Sequence, residues 1–149
     1  MATVQTRRFT IERLGHVVLR VRDVERSEPF YRDVLGLQVR ERVPGRAVFF
    51  TCGEQHHDLA IFAVGPDAPP PEDHRVGMYH VAFKLPDFAQ LKAAYQHCKA
   101  SGANIVGMNH HGSSKSIYLK DPDGNEIELY CEVHGEQGTE ETLRRELEA

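Results

Sequence analysis

Two histidines and one glutamate occupy matching positions in strand-like segments of the chain. His16 and His80 each stand directly before an apolar, β-branched run, and Glu128 stands between two apolar residues of a third run. Side chains alternate between the two faces of a strand, so all three groups point away from the face that packs on a helix. A single histidine on a strand is more often a hydrogen-bonded core residue. Two imidazoles and a carboxylate converging in one cavity, however, are typical of non-haem Fe(II) sites with open coordination positions, and we predict a metal site here.

The elements that must position these residues form an internal repeat. The order strand, helix, three strands is predicted twice along the chain. Superposing the two copies places His16 on His80, Asp23 on Asp87, Tyr31 on Tyr95 and Ala60 on Glu128. The sequence therefore predicts an α+β fold of two tandem βαβββ modules. We expect one domain over residues 1–149, with module one at about 12–64, a proline-rich linker at about 65–76, module two at about 77–132 and a charged tail at 133–149.

Local signals predict where the elements begin and end. Asp23 and Asp87 are placed as helix N-caps. Pro29 lacks an amide donor and clashes with the preceding helical turn, which predicts that the first helix begins near Ser27 or kinks there. The residues at 121–125, Asp-Pro-Asp-Gly-Asn, predict a hairpin turn, because proline presets φ and glycine accepts a positive φ.

The composition excludes several function classes. A net charge of −4 and a pI near 6.1 leave no basic footprint for DNA or RNA. There is no apolar run of about 18 residues, and the N-terminus lacks the apolar stretch of a signal peptide. We therefore expect a soluble, cytoplasmic protein with no membrane partner. The three cysteines have no metal-type spacing and are expected to be reduced thiols.

Four motifs within about residues 12–132 carry a resemblance to a known family. They are Gly-His-Val-Val-Leu at 15–19, Phe-Tyr-Arg-Asp-Val-Leu-Gly-Leu at 30–37, Tyr-His-Val-Ala-Phe at 79–83 and Asp-Pro-Asp-Gly-Asn-Glu-Ile-Glu-Leu at 121–129. With these motifs the chain resembles the vicinal oxygen chelate superfamily, which includes glyoxalases, bleomycin-resistance proteins and extradiol dioxygenases. The resemblance implies that the paired modules form a cup-shaped mixed sheet around a divalent metal ion.

Within that superfamily the chain is most similar to small extradiol dioxygenases with one pair of modules. Glyoxalase I members usually have a further carboxylate ligand at the place of Ala60, which cannot bind metal. The stretch at 56–60 resembles a segment of extradiol dioxygenases and implies that His57 is an acid–base catalyst. His111 and Tyr118 resemble the pair that surrounds the bound catechol. The implied activity is cleavage of a catechol-type ring by O₂ with Fe(II), or with Mn(II) or another divalent metal.

Two placements remain open from the sequence. Strict alternation backward from Ala60 turns His56 toward the metal face, whereas the resemblance implies His57, which needs a bulge or turn at the start of the strand. His110 and His111 present the same choice. A surface-loop position is the ordinary alternative for each of these histidines.

The resemblance also implies the course of the reaction and the assembly. Fe(II) brings the diol and O₂ into one coordination sphere, while His111 and Tyr118 bind the substrate oxygens. Superfamily members with one module pair are commonly dimers, so we expect a homodimer or higher homo-oligomer. The tail around Leu143 and Leu147 predicts a short charged helix that caps the cavity or a partner, or is solvated. The alternative functions are a glyoxalase I-like metal-dependent isomerase or lyase, and a metal-free binding protein of the bleomycin-resistance type.

Overall fold

The computed structural model describes residues 8–149. Residues 1–7 lie outside the described residues. They begin the N-terminal stretch in which the sequence predicts no signal peptide. The elements in chain order are β1 (Val17–Val21), α1 (Val24–Pro29) continued by a π-helical turn (Phe30–Val34), β2 (Gln38–Val43), β3 (Ala47–Thr51), β4 (Leu59–Ala63), β5 (Val81–Lys84), α2 (Phe88–Ala100), β6 (Asn104–His110), β7 (Ser114–Lys120), β8 (Glu126–Glu132) and α3 (Glu140–Glu148).

Each module forms a four-stranded mixed sheet of the same topology. The strand orders are β1-β4-β3-β2 and β5-β8-β7-β6. The first strand of each module lies parallel to the last, and the remaining neighbours are antiparallel. A parallel pair requires a long crossover, which the helix and the two intervening strands provide. The predicted α+β fold of two βαβββ modules is confirmed.

Alternation along the strands separates a core face from an open face in each sheet. In β1, Leu19 and Val21 are buried, whereas Val18 and Arg20 are exposed. Helix α1 packs on β3 and β4, and α2 packs on β7 and β8. Buried apolar residues of both modules form a continuous cluster, which includes two of the three cysteines as thiols. Each sheet therefore has one face covered by a helix and one open face on which a functional site can lie.

His16 and His80 precede their strands rather than lying within them. The sequence pattern predicts strands that begin three residues earlier, but β1 begins at Val17 and β5 at Val81. Both are edge strands with a single neighbouring strand. The residues ahead of Val17 and Val81 therefore have no strand on the other side to extend the backbone pairing. The two histidines thus lie directly before the first residues of β1 and β5.

The first helix accommodates Pro29 by changing its hydrogen-bond pattern. Asp23 and Asp87 cap their helices as predicted, each carboxylate accepting hydrogen bonds from amides of the first turn. The first helix begins at the residue after Asp23, so the alternative of a start near Ser27 is wrong, and the helix instead becomes irregular next to Pro29. Directly after Pro29 the helix widens into the π-helical turn at 30–34. Because proline has no amide to donate, the regular α-helical ladder is interrupted at this point.

The hairpin turn between β7 and β8 ties the two modules together. Gly124 has a φ of 93°, as the turn pattern predicts. The buried Asp121 accepts a hydrogen bond of 2.6 Å from the Tyr31 hydroxyl. The buried Asp123 accepts bonds of 3.1 and 2.8 Å from the backbone amide and the guanidinium of Arg22. Both carboxylates lose water but gain donors from module one, so the turn joins module two to α1 and to the end of β1.

The charged tail forms α3, which packs on α2 and β6. Thr139 caps the helix, and the side chains of Leu143 and Leu147 are fully buried. The predicted short helix is confirmed, and its apolar side is covered by the second module rather than by solvent. Among residues 8–149, neither α3 nor any other helix is long and apolar enough to cross a membrane.

Candidate metal centre

His80 and Glu128 meet on the open face of the second sheet. The parallel pairing of β5 with β8 sets Ala82 opposite Glu128. His80, two residues before Ala82, therefore lies beside the same carboxylate. The His80 Nε2 atom lies 2.9 Å from Oε2 of Glu128, and the two side chains are 28% and 14% exposed. Two of the three predicted ligands are therefore in direct contact in a largely buried setting.

Ser116 and Tyr118 hold the other oxygen of the same carboxylate. Ser116 Oγ donates a 2.6 Å hydrogen bond to Oε1 of Glu128, and the Tyr118 hydroxyl lies 3.5 Å from that atom. The Tyr118 ring centroid is 5.7 Å from that of His80. Burial, and then the charge of Glu128, raise the pKa of Tyr118, so its hydroxyl stays protonated as a donor. Sequence reasoning did not single out Ser116, although alternation from Tyr118 places it on the same face.

Glu126 lies on the other side of the His80 ring. One of its carboxylate oxygens is 3.5 Å from His80 Nδ1, and the other is 3.5 Å from Nζ of Lys120. The His80 Nδ1 atom is buried and has no hydrogen-bond partner among the described residues. A carboxylate facing the second nitrogen is the usual way in which a metal-binding histidine is oriented. Glu126 was also missed from the sequence, and its spacing of two residues from Glu128 was the available signal.

His16 lies on the first sheet, apart from this pair. Its ring packs on His57 with centroids 4.4 Å apart, and Phe49 packs edge-on against His57 at 5.2 Å. Within residues 8–149, no three His, Cys, Asp or Glu side chains are grouped so that they could hold a metal ion. The expectation that His16, His80 and Glu128 converge within one chain is therefore not met. His16 lies ahead of β1 in the first module, so the strand pairing that joins β5 to β8 does not bring it to His80 and Glu128. Their role as ligands stays a prediction.

The structure distinguishes His57 from His56. His57 is half-buried between His16 and Phe49, whereas His56 is exposed. Residues 52–58 form a loop before β4, so the strand alternation on which the His56 placement rested does not apply there. Desolvation, and then the electrostatic effect of the neighbouring His16 and His56 side chains, lower the pKa of His57. The His57 imidazole is thus neutral near pH 7 and can accept a proton.

The structure also separates His110 from His111. The Nε2 atom of His111 lies 2.7 Å from Nδ2 of Asn109, which pairs with Ser116 across β6 and β7. His111 is therefore on the face that carries the Ser116 hydroxyl. His110 turns to the opposite side, where its ring lies against Gly138.

A cavity of about 960 Å³ opens beside His80. Its walls include Val18 and Phe62 from the open face of the first sheet, Lys120 from the second sheet and much of the linker between the modules. Val18 and Phe62 are 46% and 40% exposed, which gives one wall an apolar character. The volume of the cavity lies within the usual range of small-molecule binding sites.

The donor atoms on the second sheet suit a divalent metal ion. One imidazole nitrogen and one carboxylate oxygen lie 2.9 Å apart, and the second oxygen is held by a hydroxyl. Ala60, at the repeat position that matches Glu128, is fully buried and supplies no further ligand. Imidazole with carboxylate is the donor chemistry of Fe(II) and Mn(II) sites that keep open positions.

Comparison with known proteins identifies the family of the chain. The model of the Glyoxalase/Bleomycin resistance protein/Dioxygenase superfamily matches residues 13–129. The catechol-2,3-dioxygenase of Bacillus subtilis (strain 168) is 37% identical over 120 residues, covering 80% of this chain and 41% of its own length. Biphenyl-2,3-diol 1,2-dioxygenase 3 of Rhodococcus globerulus is 32% identical over 143 residues, covering 88% and 75%. The chain thus spans about two fifths of the first relative and three quarters of the second.

The solved structures show the same fold. The crystal structure of lactoylglutathione lyase from Agrobacterium tumefaciens superposes with a TM-score of 0.65 at 28% identity, covering 81% of this chain and 94% of that one. The family match over residues 13–129 likewise extends over most of the chain. The protein belongs to the Glyoxalase/Bleomycin resistance protein/Dioxygenase superfamily.

Proposed function

We propose that the protein is a non-haem Fe(II)-dependent extradiol dioxygenase that cleaves a catechol-type ring with O₂. The observation that carries the proposal is the His57 imidazole, which lies against His16 and is available as an acid–base group beside a predicted ligand. Ala60 leaves the coordination sphere open where a further carboxylate would fill it. The two dioxygenase relatives support the same reaction class.

In this proposal His16, His80 and Glu128 hold the metal. When bound, Fe(II) would bring both diol oxygens and O₂ together and allow electron density to pass between them. The contact between His80 and Glu128 supports two of the three ligands. A site with three protein ligands keeps the positions that a bidentate diol and O₂ require.

We infer that His16 reaches the site from a second copy of the chain, in a homodimer. His16 does not join His80 and Glu128 in one described chain. Val18, two residues after His16, is an exposed apolar side chain, as is common where a protein contacts a partner. The third ligand would then join His80 and Glu128 when two copies associate.

Mixing two inactive variants tests this assembly. His16→Ala and Glu128→Ala are each expected to lack activity. If the site is shared, their mixed dimers contain one intact site, and random reassortment restores about a quarter of wild-type activity. No recovery in mixtures that have exchanged subunits would place the complete site within one chain.

The remaining polar groups act on protons and on substrate orientation. His57 would accept a proton from the diol and hold it at the imidazole, since its lowered pKa keeps the ring neutral before substrate binds. The Tyr118 hydroxyl, at 3.5 Å from Glu128, can turn toward a substrate oxygen. His111 would bind the second oxygen from the edge of the same sheet, where Asn109 holds its ring.

A glyoxalase-like isomerase or lyase is the second candidate. It is supported by the lactoylglutathione lyase structure, of which this chain covers 94%. That chemistry uses Ni(II), Co(II) or Zn(II) without oxygen and usually a further protein ligand. Ala60 argues against it, because an apolar buried side chain cannot bind the metal.

Anaerobic reconstitution with Fe(II) decides between the two candidates. The loaded protein is mixed with a panel of catechols, including aryl-substituted ones, and oxygen uptake and the absorbance of a ring-opened product are recorded. His80→Ala is the matched inactive control. Absence of oxygen uptake with a protein that binds Mn(II) would overturn the proposal. Turnover of a hemithioacetal by the Ni(II) or Zn(II) form would establish the second candidate.

A further inference from the structure

The segment between β8 and α3, which we call the C-terminal strap (residues 133–139), runs over the turn between β6 and β7. It follows the part of the chain that the superfamily model matches. The Val133 amide donates a 3.0 Å hydrogen bond to the carbonyl of Ser113 in that turn. Gly112 approaches the strap so closely that a Cβ there would lie 3.1 Å from the Gly135 carbonyl oxygen and 3.3 Å from the Gln137 amide nitrogen. The turn and the strap are therefore packed backbone to backbone.

Gly138 makes the closest approach, against the ring of His110. A Cβ added at Gly138 would lie 2.1 Å from Nδ1 and 3.0 Å from Cγ of that ring, well inside any real contact distance. Gly138 has no positive φ, so an alanine is excluded by lack of space and not by the backbone conformation. Gly135, in the same strap, has nothing within 4 Å of an added Cβ. The chain thus offers a disruptive position and a matched control a few residues apart.

Helix α3 anchors the far end of the strap. Its buried Leu143 and Leu147 fix it on the second module. Glu146 forms an ion pair with Lys115 of β7, and the Tyr95 hydroxyl donates a 2.9 Å hydrogen bond to Glu148. The strap begins directly after β8 and ends at α3, so both of its ends are fixed on the second module.

The turn carries site residues on the face opposite the strap. His110 faces the strap, while His111 is bonded to Asn109 on the face of Ser116, whose hydroxyl holds Glu128. One peptide unit joins the two histidines, so a backbone shift that moves the His110 ring away from the strap would also move His111.

We propose that the C-terminal strap positions His111 for substrate, with Gly138 and His110 as positioning residues. The proposal rests on the proposed function insofar as His111 binds a substrate oxygen. The strap holds the turn from which the His111 ring would reach that oxygen. The proposed ligands His16, His80 and Glu128 all lie outside the turn and the strap, so we expect metal binding to be independent of the strap.

The test compares Gly138→Ala with Gly135→Ala in the full chain. For Gly138→Ala we expect faster amide hydrogen exchange across residues 109–116 and a KM for catechol raised about tenfold, the size of one lost hydrogen bond. The dissociation constant for Mn(II) should stay within about twofold of wild type, because the ligands do not move. Gly135→Ala should match wild type in all three measurements.

A second variant identifies the contact. In His110→Ala/Gly138→Ala the new methyl group takes the space of the ring, so exchange and KM should return toward wild type. If Gly138→Ala does not fold, His110→Ala alone decides, with faster exchange at 109–116 expected. Equal exchange in wild type and in the folded variant would overturn the proposal. If no catechol is cleaved by the wild type, the proposed function fails, while faster exchange in Gly138→Ala but not in Gly135→Ala still supports the strap.

Discussion

Removal of the Ser116 hydroxyl should weaken metal binding without changing any ligand. Ser116 is 1% exposed, and its Oγ donates at 2.6 Å to Oε1 of Glu128. Hydrogen bonds to a charged group contribute about 1.5–3 kcal/mol, which corresponds to about 10- to 150-fold in an equilibrium constant. The Tyr118 hydroxyl lies 3.5 Å from the same oxygen and can move closer to replace part of the bond. We therefore expect Ser116→Ala to weaken metal binding by about 10- to 30-fold, at the lower end of that range.

Titration with Mn(II), followed by its paramagnetic resonance signal, measures this affinity without any requirement for turnover. Ser114→Ala is the matched control, because Ser114 lies two residues before Ser116 on the same strand and its side chain makes no hydrogen bond among the described residues. Melting curves of both variants verify that the fold is kept.

The reasoning is refuted if Ser116→Ala binds Mn(II) as tightly as wild type while His80→Ala and Glu128→Ala do not bind it. Such a result would mean that the metal fixes the carboxylate by itself and that the hydroxyl contributes nothing. An equal loss in Ser114→Ala would instead point to general damage to β7.

Three further predictions concern catalysis, pH and the module junction. His57→Ala should lower kcat by about 10²- to 10⁴-fold with an unchanged Mn(II) dissociation constant, because it removes an acid–base group and no ligand; a parallel loss of metal affinity would contradict this. The Arg42 guanidinium holds the pKa of Glu28 below its usual 4.5, so Glu28→Gln should be less stable than wild type at pH 7. That deficit should close as the pH falls below 4.5 in urea unfolding, and a deficit unchanged at pH 3 would exclude the ion pair as its cause. Tyr31→Phe removes the buried 2.6 Å bond to Asp121 and should lower the free energy of unfolding by about 1–3 kcal/mol, measured in urea, whereas an unchanged midpoint would show that the bond adds no net stability.

The repeated fold and the open faces were predictable because they depend on local periodicity. Leu19 and Val21 are buried and Val18 is exposed, as a period of two requires. The caps at Asp23 and Asp87 follow from the preference of a short carboxylate for free helical amides. Each of these features is determined within a few residues of chain.

Other features depended on competition between distant groups. The π-helical turn after Pro29 forms because the helix keeps packing on its sheet despite a missing donor. The sequence left open which of His110 and His111 faces the site. The outcome follows from the strap, whose Gly138 lies against the ring of His110. No local pattern encodes such a contact, because its two partners lie on segments joined only by the folded core.

The sequence by itself determined which side chains share a face: His80 and Glu128 in one module, and His16 in the equivalent place of the other. This holds because alternation along a strand is a property of the backbone. Only the tertiary structure decided which of them meet. The parallel register of β5 and β8 brings His80 to Glu128, whereas His16 packs on His57 on another sheet. The relative placement of the two sheets depends on many weak packing contacts in the core. No single sequence motif determines that placement.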